Sequence, residues 1–451
     1  MAISLRGRLL RGGAWALTMR IAGGVAYLGA NALLARILSP NDLGVYYLAA
    51  SLVTAIAAVG EFGLGRTASR LIAERIGVGR PDEAARVTRL AVHTGWGTGL
   101  VAALLYATLG GWVAIAVFHK PGLALLTPIV AVWIFFMSAQ RVQGEAFRGF
   151  HDIRFATMFG YTTDGLAPSA LLIVLLLVGR SLHVSELRTV TGLSAGAIAC
   201  SASIAVLLLW RKLSRLPRER SNIPVTSIGR RALIAIGGPI AVTTLTTVIM
   251  NNQFDLALLG RFGNPHDMAL YGAAVRLTVL VTAPLMIVNA VLPSFIAELH
   301  ATGQRARLQR VLSASALIAG IPALLVLAAL CAGGAPLLRF VFGTYYGAAE
   351  PLLILLAISQ AVNVLGGSCG TVLLMTGHHI QMMKISLLVS VVSVALGLFA
   401  AWKFGPLGLA TAAIVRELLG NGLRVAVAHR ELGVWTQMPL SLRSLRHAVE
   451  T

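Results

Sequence analysis

Apolar residues fill this chain in long runs, broken at near-regular intervals by short polar clusters. Runs such as Leu123–Met137, Ala167–Gly179 and Leu387–Ala401, extended over their flanks, reach the ~20 residues an α-helix needs to cross a hydrocarbon core. Twelve spans are predicted, at about 13–37, 43–65, 89–117, 123–146, 155–179, 188–210, 232–260, 268–294, 311–334, 349–374, 381–402 and 406–428. The predicted fold is all-α and membrane-integral, with about 12 transmembrane helices.

The polar positions repeat. Leu33–Leu52 reads LLARILSPNDLGVYYLAASL, and Leu258–Leu277 reads LLGRFGNPHDMALYGAAVRL. Arg36, Pro40, Asp42 and Tyr46 fall on Arg261, Pro265, Asp267 and Tyr271 at a constant offset of 225. One residue is then deleted. Ile72-Ala73-Glu74, Gly79 and Arg86-Val87 fall on Ile296-Ala297-Glu298, Gly303 and Arg310-Val311. Chance matching in an apolar chain would align leucines, not this polar set in one register. The spans therefore form two duplicated sets of six, predicting pseudo-symmetric six-helix lobes. An even number of spans per copy gives both the same orientation, about an axis along the membrane normal. The predicted organisation is an N-terminal lobe at 1–215, a cytoplasmic linker at 216–230, a C-terminal lobe at 231–430 and a cytoplasmic tail at 431–451.

Composition agrees: 57% of residues are hydrophobic and 12% charged, against about 25% charged in soluble domains. The net charge of +20 raises nucleic acid as a partner, but the positions of the charges argue against it. Basic residues gather in alternate segments: Arg6 to Arg11, Arg66 to Arg89, and Arg211 to Arg231. This is the positive-inside pattern, with both termini in the cytoplasm. The Arg66–Arg89 segment is expected to hold an interfacial helix, touching anionic lipid head groups or the substrate. A cleaved signal is not expected, because the first apolar segment contains Arg20 and runs past Asn31.

Enzyme templates find no match. Cys200, Cys331 and Cys369 stand singly in apolar segments, as small packing residues do. His378-His379 has no neighbouring acid or thiol to complete a metal site. A phosphate-cradling glycine loop with its lysine is missing. The reading is a protein without catalytic, metal or cofactor site, driven by an ion gradient (Na⁺ or H⁺), the membrane potential or the substrate's own gradient.

Several motifs carry a resemblance. LLARILSPNDLGVYYLA, Gly60-Glu61-Phe62-Gly63-Leu64 and Arg70-Leu71-Ile72-Ala73-Glu74 resemble the start of bacterial polysaccharide (Wzx-like) flippases. Phe147-Arg148-Gly149-Phe150 is similar to that family's fourth inner loop, and Gly405 to Ala412 ahead of Arg416-Glu417 to its last span. The family belongs to the multidrug/oligosaccharidyl-lipid/polysaccharide exporter superfamily. The resemblance implies two lobes around a central cavity, alternating access, and an undecaprenyl-pyrophosphate-linked oligosaccharide as substrate in the bacterial inner membrane. It also implies a polysaccharide polymerase and chain-length proteins as partners. Glu431 to Thr451 is too short and polar for a further span, which favours the O-antigen, capsule or exopolysaccharide branch over lipid II flippases.

A charge within a span is costly and faces a wet cavity or a partner. Arg20, in the first span, shares a face with Gly24, Tyr27 and Asn31. It would bind pyrophosphate, or snorkel to the inner interface. Asp255 lies on the face of Thr244, Thr247 and Asn251 and is a coupling candidate, or a helix-end acid paired with Arg261 or Arg276. Asn252, beside it, is a candidate substrate contact. Arg276 would line a cationic cavity or pair with Asp255. Asp164 after Tyr161-Thr162-Thr163 would couple an ion or join helices, and Glu61 would couple an ion or pair with Arg66. Arg416 and Glu417 point about 100° apart and cannot simply pair with each other. They are taken as substrate and coupling candidates respectively, or as a structural interlock with Asn421 and Arg424. Gln360 and Asn363 add uncharged polar groups. Between copies, Ala30 stands opposite Asp255 and Ser51 opposite Arg276, so these charges lie outside the shared scaffold. The alternatives are a multidrug/cation antiporter of the same superfamily, which would want an acidic cavity, and a membrane-embedded polymerase or glycosyltransferase. The latter would want a large loop or nucleotide-sugar domain, and the sequence shows neither. A non-catalytic scaffold role is a further alternative.

Overall fold

Helices begin where the repeated polar residues stand. In the first copy Ser39 caps a helix opening on Pro40, its Oγ accepting from the Asp42 N–H at 3.1 Å. In the second, Asn264 caps a helix opening on Pro265. There the Asn264 side chain accepts from the Asp267 N–H at 2.8 Å, and Asp267 Oδ2 accepts from the Asn264 N–H at 3.3 Å. Proline at the first helical position lacks only an N–H that would be unpaired there anyway. The repeated Pro and Asp are thus the start signals of one helical hairpin, made twice.

The computed structural model describes residues 5–160, 165–182, 185–216, 244–246 and 252–439. The chain divides into two compact units, Met1–Val248 and Ile249–Thr451. Unit 1 contains α1 (Leu5–Ile37), α2 (Pro40–Gly60), α3 (Leu64–Gly77), α4 (Pro81–Ala116), α5 (Pro121–Leu125), α6 (Thr127–Gly149), α7 (Ile153–Met158), α8 (Leu166–Ser181) and α9 (Leu187–Ser214). Unit 2 contains α10 (Asn252–Phe262), α11 (Pro265–Leu277), α12 (Val279–Ala301), α13 (Arg305–Phe342), a 3-10 turn (Thr344–Ala349), α14 (Glu350–Leu365), α15 (Cys369–Met375) and α16 (His379–Leu432). Among the described residues there is no strand.

Among the described residues, seven helical segments are long and apolar enough to cross a membrane by length and composition. The last, α16, carries two predicted spans on arms that meet at Gly405, where φ is 59° ahead of Pro406. Other predicted spans are interrupted. The second ends at Gly60, because Phe62 (φ 51°) and Gly63 (φ 69°) turn left-handed. The fifth is divided between α7 and α8, the eighth between α11 and α12, and the tenth between α14 and α15. Of the seventh, 232–260, only part lies in the described residues.

In unit 1, α6 is the hub on which α2, α3, α4 and α9 pack. The fourth helix shows the membrane pattern clearly. Gly95, Gly99, Ala102 and Ala103 are buried, while Leu100, Leu104, Leu105, Leu109 and Trp112 are exposed. Small residues inside let helices approach closely, and the large apolar side chains meet lipid. The Arg66–Arg89 segment opens within α3, an amphipathic helix with Leu64, Ala68, Leu71 and Ile72 buried and Arg66 and Arg70 exposed. In unit 2, α16 packs on α10, α14 and α15.

Candidate functional site

Each unit carries a buried ion pair, and the two sit on different helices. In unit 2 the pair joins α10 to α16. Arg416 Nη1 lies 3.0 Å from Asp255 Oδ1, and Arg416 Nη2 donates to Oδ2 at 3.2 Å. Tyr271 on α11, fully buried, donates its hydroxyl to the same Oδ2 at 2.8 Å. The guanidinium fork matches a carboxylate with two parallel bonds. Removing such ions from water costs several kcal/mol each, so their attraction and the Tyr271 bond work against that penalty.

Further along α16 lies a second polar group. Asn421 Nδ2 donates to Glu417 Oε2 at 3.1 Å and to Asn363 Oδ1, on α14, at 3.3 Å. Asn421 Oδ1 accepts from Arg424 Nη1 at 3.3 Å and from the Cys369 thiol at 3.5 Å. Arg416 and Glu417 therefore engage different partners, as their angular separation requires. On α12, Asn289 Oδ1 accepts from Ser368 Oγ at 2.7 Å and Thr371 Oγ1 at 3.5 Å.

In unit 1 the pair joins the end of α2 to α6. Arg141 Nε lies 2.5 Å from Glu61 Oε2, both side chains buried. One turn on, Glu145 accepts from Arg148 Nη1 at 2.5 Å. Gly65, in the first turn of α3, covers both acids: a Cβ there would stand 2.5 Å from Glu61 Oε1 and 3.1 Å from Glu145 Cγ. Nearer the expected cytoplasmic rim, Glu83 takes Arg75 at 3.2 Å and Arg80 at 3.3 Å, and Asp152 takes Lys212 at 2.5 Å. The hydrogen bond from Arg86 holds the half-buried Asp82 carboxyl below the usual carboxylate range.

Two expected pairings are corrected. Asp255 is held by Arg416, not by Arg261 or Arg276 as its nearness in sequence suggested. Arg276 is buried, and its Nη1 donates to the Gly272 carbonyl one turn back at 2.8 Å. Glu61 is held by Arg141 rather than Arg66, because Arg66 projects from the exposed side of α3. Arg20 and Tyr27 are half-buried on α1, and Asn31 is buried with its Nδ2 on the Tyr27 carbonyl at 2.8 Å. Gln360 is half-buried on α14. Asn252 opens α10, and Asp164 lies outside the described residues. Arg141 was missed by sequence reasoning. Its signal was present, an Arg and a Glu four apart at the end of a predicted span. Tyr271, read as scaffold, is a direct partner of the acid. Among the described residues no His, Cys, Asp and Glu group has the makings of a metal site.

Two tightly packed helical units with charges sealed inside apolar helices define a membrane transporter fold, and solved structures share it. A multidrug resistance MATE family transporter of the MOP superfamily in an inward-facing conformation is 16% identical, covering 93% of this chain and 98% of that one, with a TM-score of 0.71. A MOP superfamily transporter from Pyrococcus furiosus is 17% identical over 95% and 96%, with a TM-score of 0.63. The Vibrio cholerae MATE transporter VcmN, as a mutant, is 15% identical over 95% and 98%, with a TM-score of 0.65. No curated protein sequence matches the chain. Residues 9–300 match the polysaccharide biosynthesis protein family, and the chain belongs to that family.

Proposed function

We propose that this protein is a flippase. It carries undecaprenyl-pyrophosphate-linked oligosaccharide from the cytoplasmic to the periplasmic leaflet of the bacterial inner membrane, both termini facing the cytoplasm. The observation that carries the reading is membership of the polysaccharide biosynthesis family on a MOP-superfamily transporter fold. The buried arginines support an anionic cargo. A guanidinium stays charged in a low dielectric and matches phosphate oxygens as well as a carboxylate. Arg416 would exchange Asp255 for a phosphate, leaving Asp255 to take up H⁺ or Na⁺ while Tyr271 keeps its bond to the acid. Arg20, Tyr27, Asn31, Asn252, Arg276 and Gln360 are the further cargo contacts we assign, with Asp164, Glu61 and Glu417 as further coupling groups. A polymerase and chain-length proteins would receive the product. The chain itself forms and breaks no bond in this reading.

A drug/cation antiporter would need acids available to a cation, whereas Asp255 and Glu61 are each held by an arginine. The test is a leaflet assay in proteoliposomes with labelled lipid-linked oligosaccharide, with and without pH and Na⁺ gradients. The expected result is gradient-stimulated flipping that falls to the protein-free rate in the double variant Asp255→Ala/Arg416→Met. Transport of organic cations with no movement of the sugar lipid would overturn the reading.

A further inference from the structure

The chain does not leave unit 2 where α16 ends. Gly433 closes the helix at φ 69°, its N–H on the His429 carbonyl. Residues 434–438, part of the expected tail, then run back over the unit. Val434 is buried in a cluster with Leu292, Leu308, Leu312 and Val372. The Trp435 N–H donates to Gln309 Oε1 at 2.7 Å, and Gln309 Nε2 donates to the Trp435 carbonyl at 3.0 Å. The Trp435 ring stacks on His429, centroids 3.9 Å apart.

The strap lands on a break in the tenth span. Between the end of α14 at Leu365 and the start of α15 at Cys369, the helix is interrupted. The Met438 N–H donates to the Leu365 carbonyl at 2.9 Å, and Thr436 Oγ1 donates to the Gly366 carbonyl at 3.1 Å. A broken helix within a membrane leaves carbonyls that lipid cannot satisfy, so protein must do it. Gly367 stands at φ 68°, and a Cβ there would run into the Thr436 carbonyl oxygen. The corresponding fourth span of unit 1, on α6, runs unbroken from Thr127 to Gly149. The repeated architecture therefore accommodates a continuous helix at this place.

We propose that residues 434–438 form a releasable latch that holds the tenth span broken at Gly366–Ser368, and that the span heals into one helix when the latch leaves. Healing would turn Ser368 and Cys369 relative to α14. That would pull apart the Ser368–Asn289 and Cys369–Asn421 bonds. The latch thus sets the state of the polar group beside α16.

The experiment is amide hydrogen exchange by mass spectrometry on the full chain in lipid nanodiscs. Gln309→Ala removes both side-chain bonds to Trp435 from a partly exposed position. Exchange at 434–438 is expected to rise about tenfold while exchange at 366–369 falls, because freed segments open and helical amides are protected. Gly367→Ala, which blocks docking at the break itself, is expected to give the same two changes with protection of α13 and α16 intact. Faster exchange at 366–369, or none of the expected slowing there, would overturn the proposal. Loss of protection throughout unit 2 in Gly367→Ala would also overturn it, by showing the strap to be a fixed part of the fold.

Discussion

The two units solve the same packing problem with their charges in opposite places. In unit 1 the second and fourth spans are joined by an ion pair, Glu61–Arg141, and the tyrosine of the repeat meets a neutral partner, Tyr46 Oη to Ser194 Oγ at 3.0 Å. In unit 2 the second and fourth spans of the copy are joined by neutral groups, Asn289 with Ser368 and Thr371. There the repeat tyrosine meets an acid that is itself tied to the last span, Tyr271 to Asp255 to Arg416. Each copy shows that the other's charged pair is dispensable for the architecture. Packing alone would not retain a buried ion pair, since apolar replacement of such pairs is often neutral or stabilising. The charges that break the repeat are therefore the natural place for function.

The largest effect is expected when unit 2 is given the residue of unit 1. Asp255→Ala places the Ala30 equivalent at that site and leaves Arg416 buried with its carboxylate partner gone. Removing one member of a buried pair costs about 3–5 kcal/mol. Thermal unfolding in detergent should show the variant strongly destabilised. The double variant Asp255→Ala/Arg416→Met should return close to wild type, because no buried charge is then stranded. A double variant as unstable as the single one would show that the pair is structural rather than functional.

A smaller effect separates the two tyrosines. Tyr271→Phe removes a hydrogen bond to a buried carboxylate, worth about 1.5–3 kcal/mol, whereas Tyr46→Phe removes a neutral one, worth about 0.5–1.5 kcal/mol. Both phenols are buried in matching positions of the repeat, so the ring packing is retained in each variant. The difference in stability, about 1 kcal/mol, isolates the charge. Equal losses would mean that the hydroxyl of Tyr271 does not feel the acid.

The helical membrane fold and the duplication were legible because both are written in local pattern. Pro40, Asp42, Pro265 and Asp267 repeat because each pair starts a helix, a requirement met within four residues. The partners of the charges were not legible. Glu61 and Arg141 are 80 positions apart and Asp255 and Arg416 are 161 apart. Helical spacing tells which face a residue occupies, not which helix that face meets. Nearest-in-sequence pairing, Glu61 with Arg66 or Asp255 with Arg261, failed for that reason. The strap at 434–438 was hidden in the same way. Its bonds are to a break at Gly366–Ser368 that apolar composition does not mark. Copying one half onto the other also misleads locally. Ile72-Ala73-Glu74 lies on a separate helix, α3, whereas Ile296-Ala297-Glu298 continues α12, because only the first copy has the Phe62–Gly63 turn.

The smallest expected difference lies at a glycine that both copies keep, at the end of a helix. Gly79 has φ 72° and Gly303 φ 68°. Each ends its helix in the same motif. The Gly79 N–H reaches the Ile76 carbonyl and the Arg80 N–H the Arg75 carbonyl, while the Gly303 N–H reaches His300 and the Gln304 N–H Leu299. The crossed bonds satisfy the last carbonyls of a helix and need a left-handed residue between them. At neither glycine would a Cβ meet another atom within 4 Å. The penalty of alanine is therefore conformational alone, about 1 kcal/mol. Gly79→Ala and Gly303→Ala should lower thermal stability by the same small amount, with no change in leaflet transport for either. Unequal losses would show that one of these turns also bears on neighbours, and that the scaffold, like the charges, departs from the repeat.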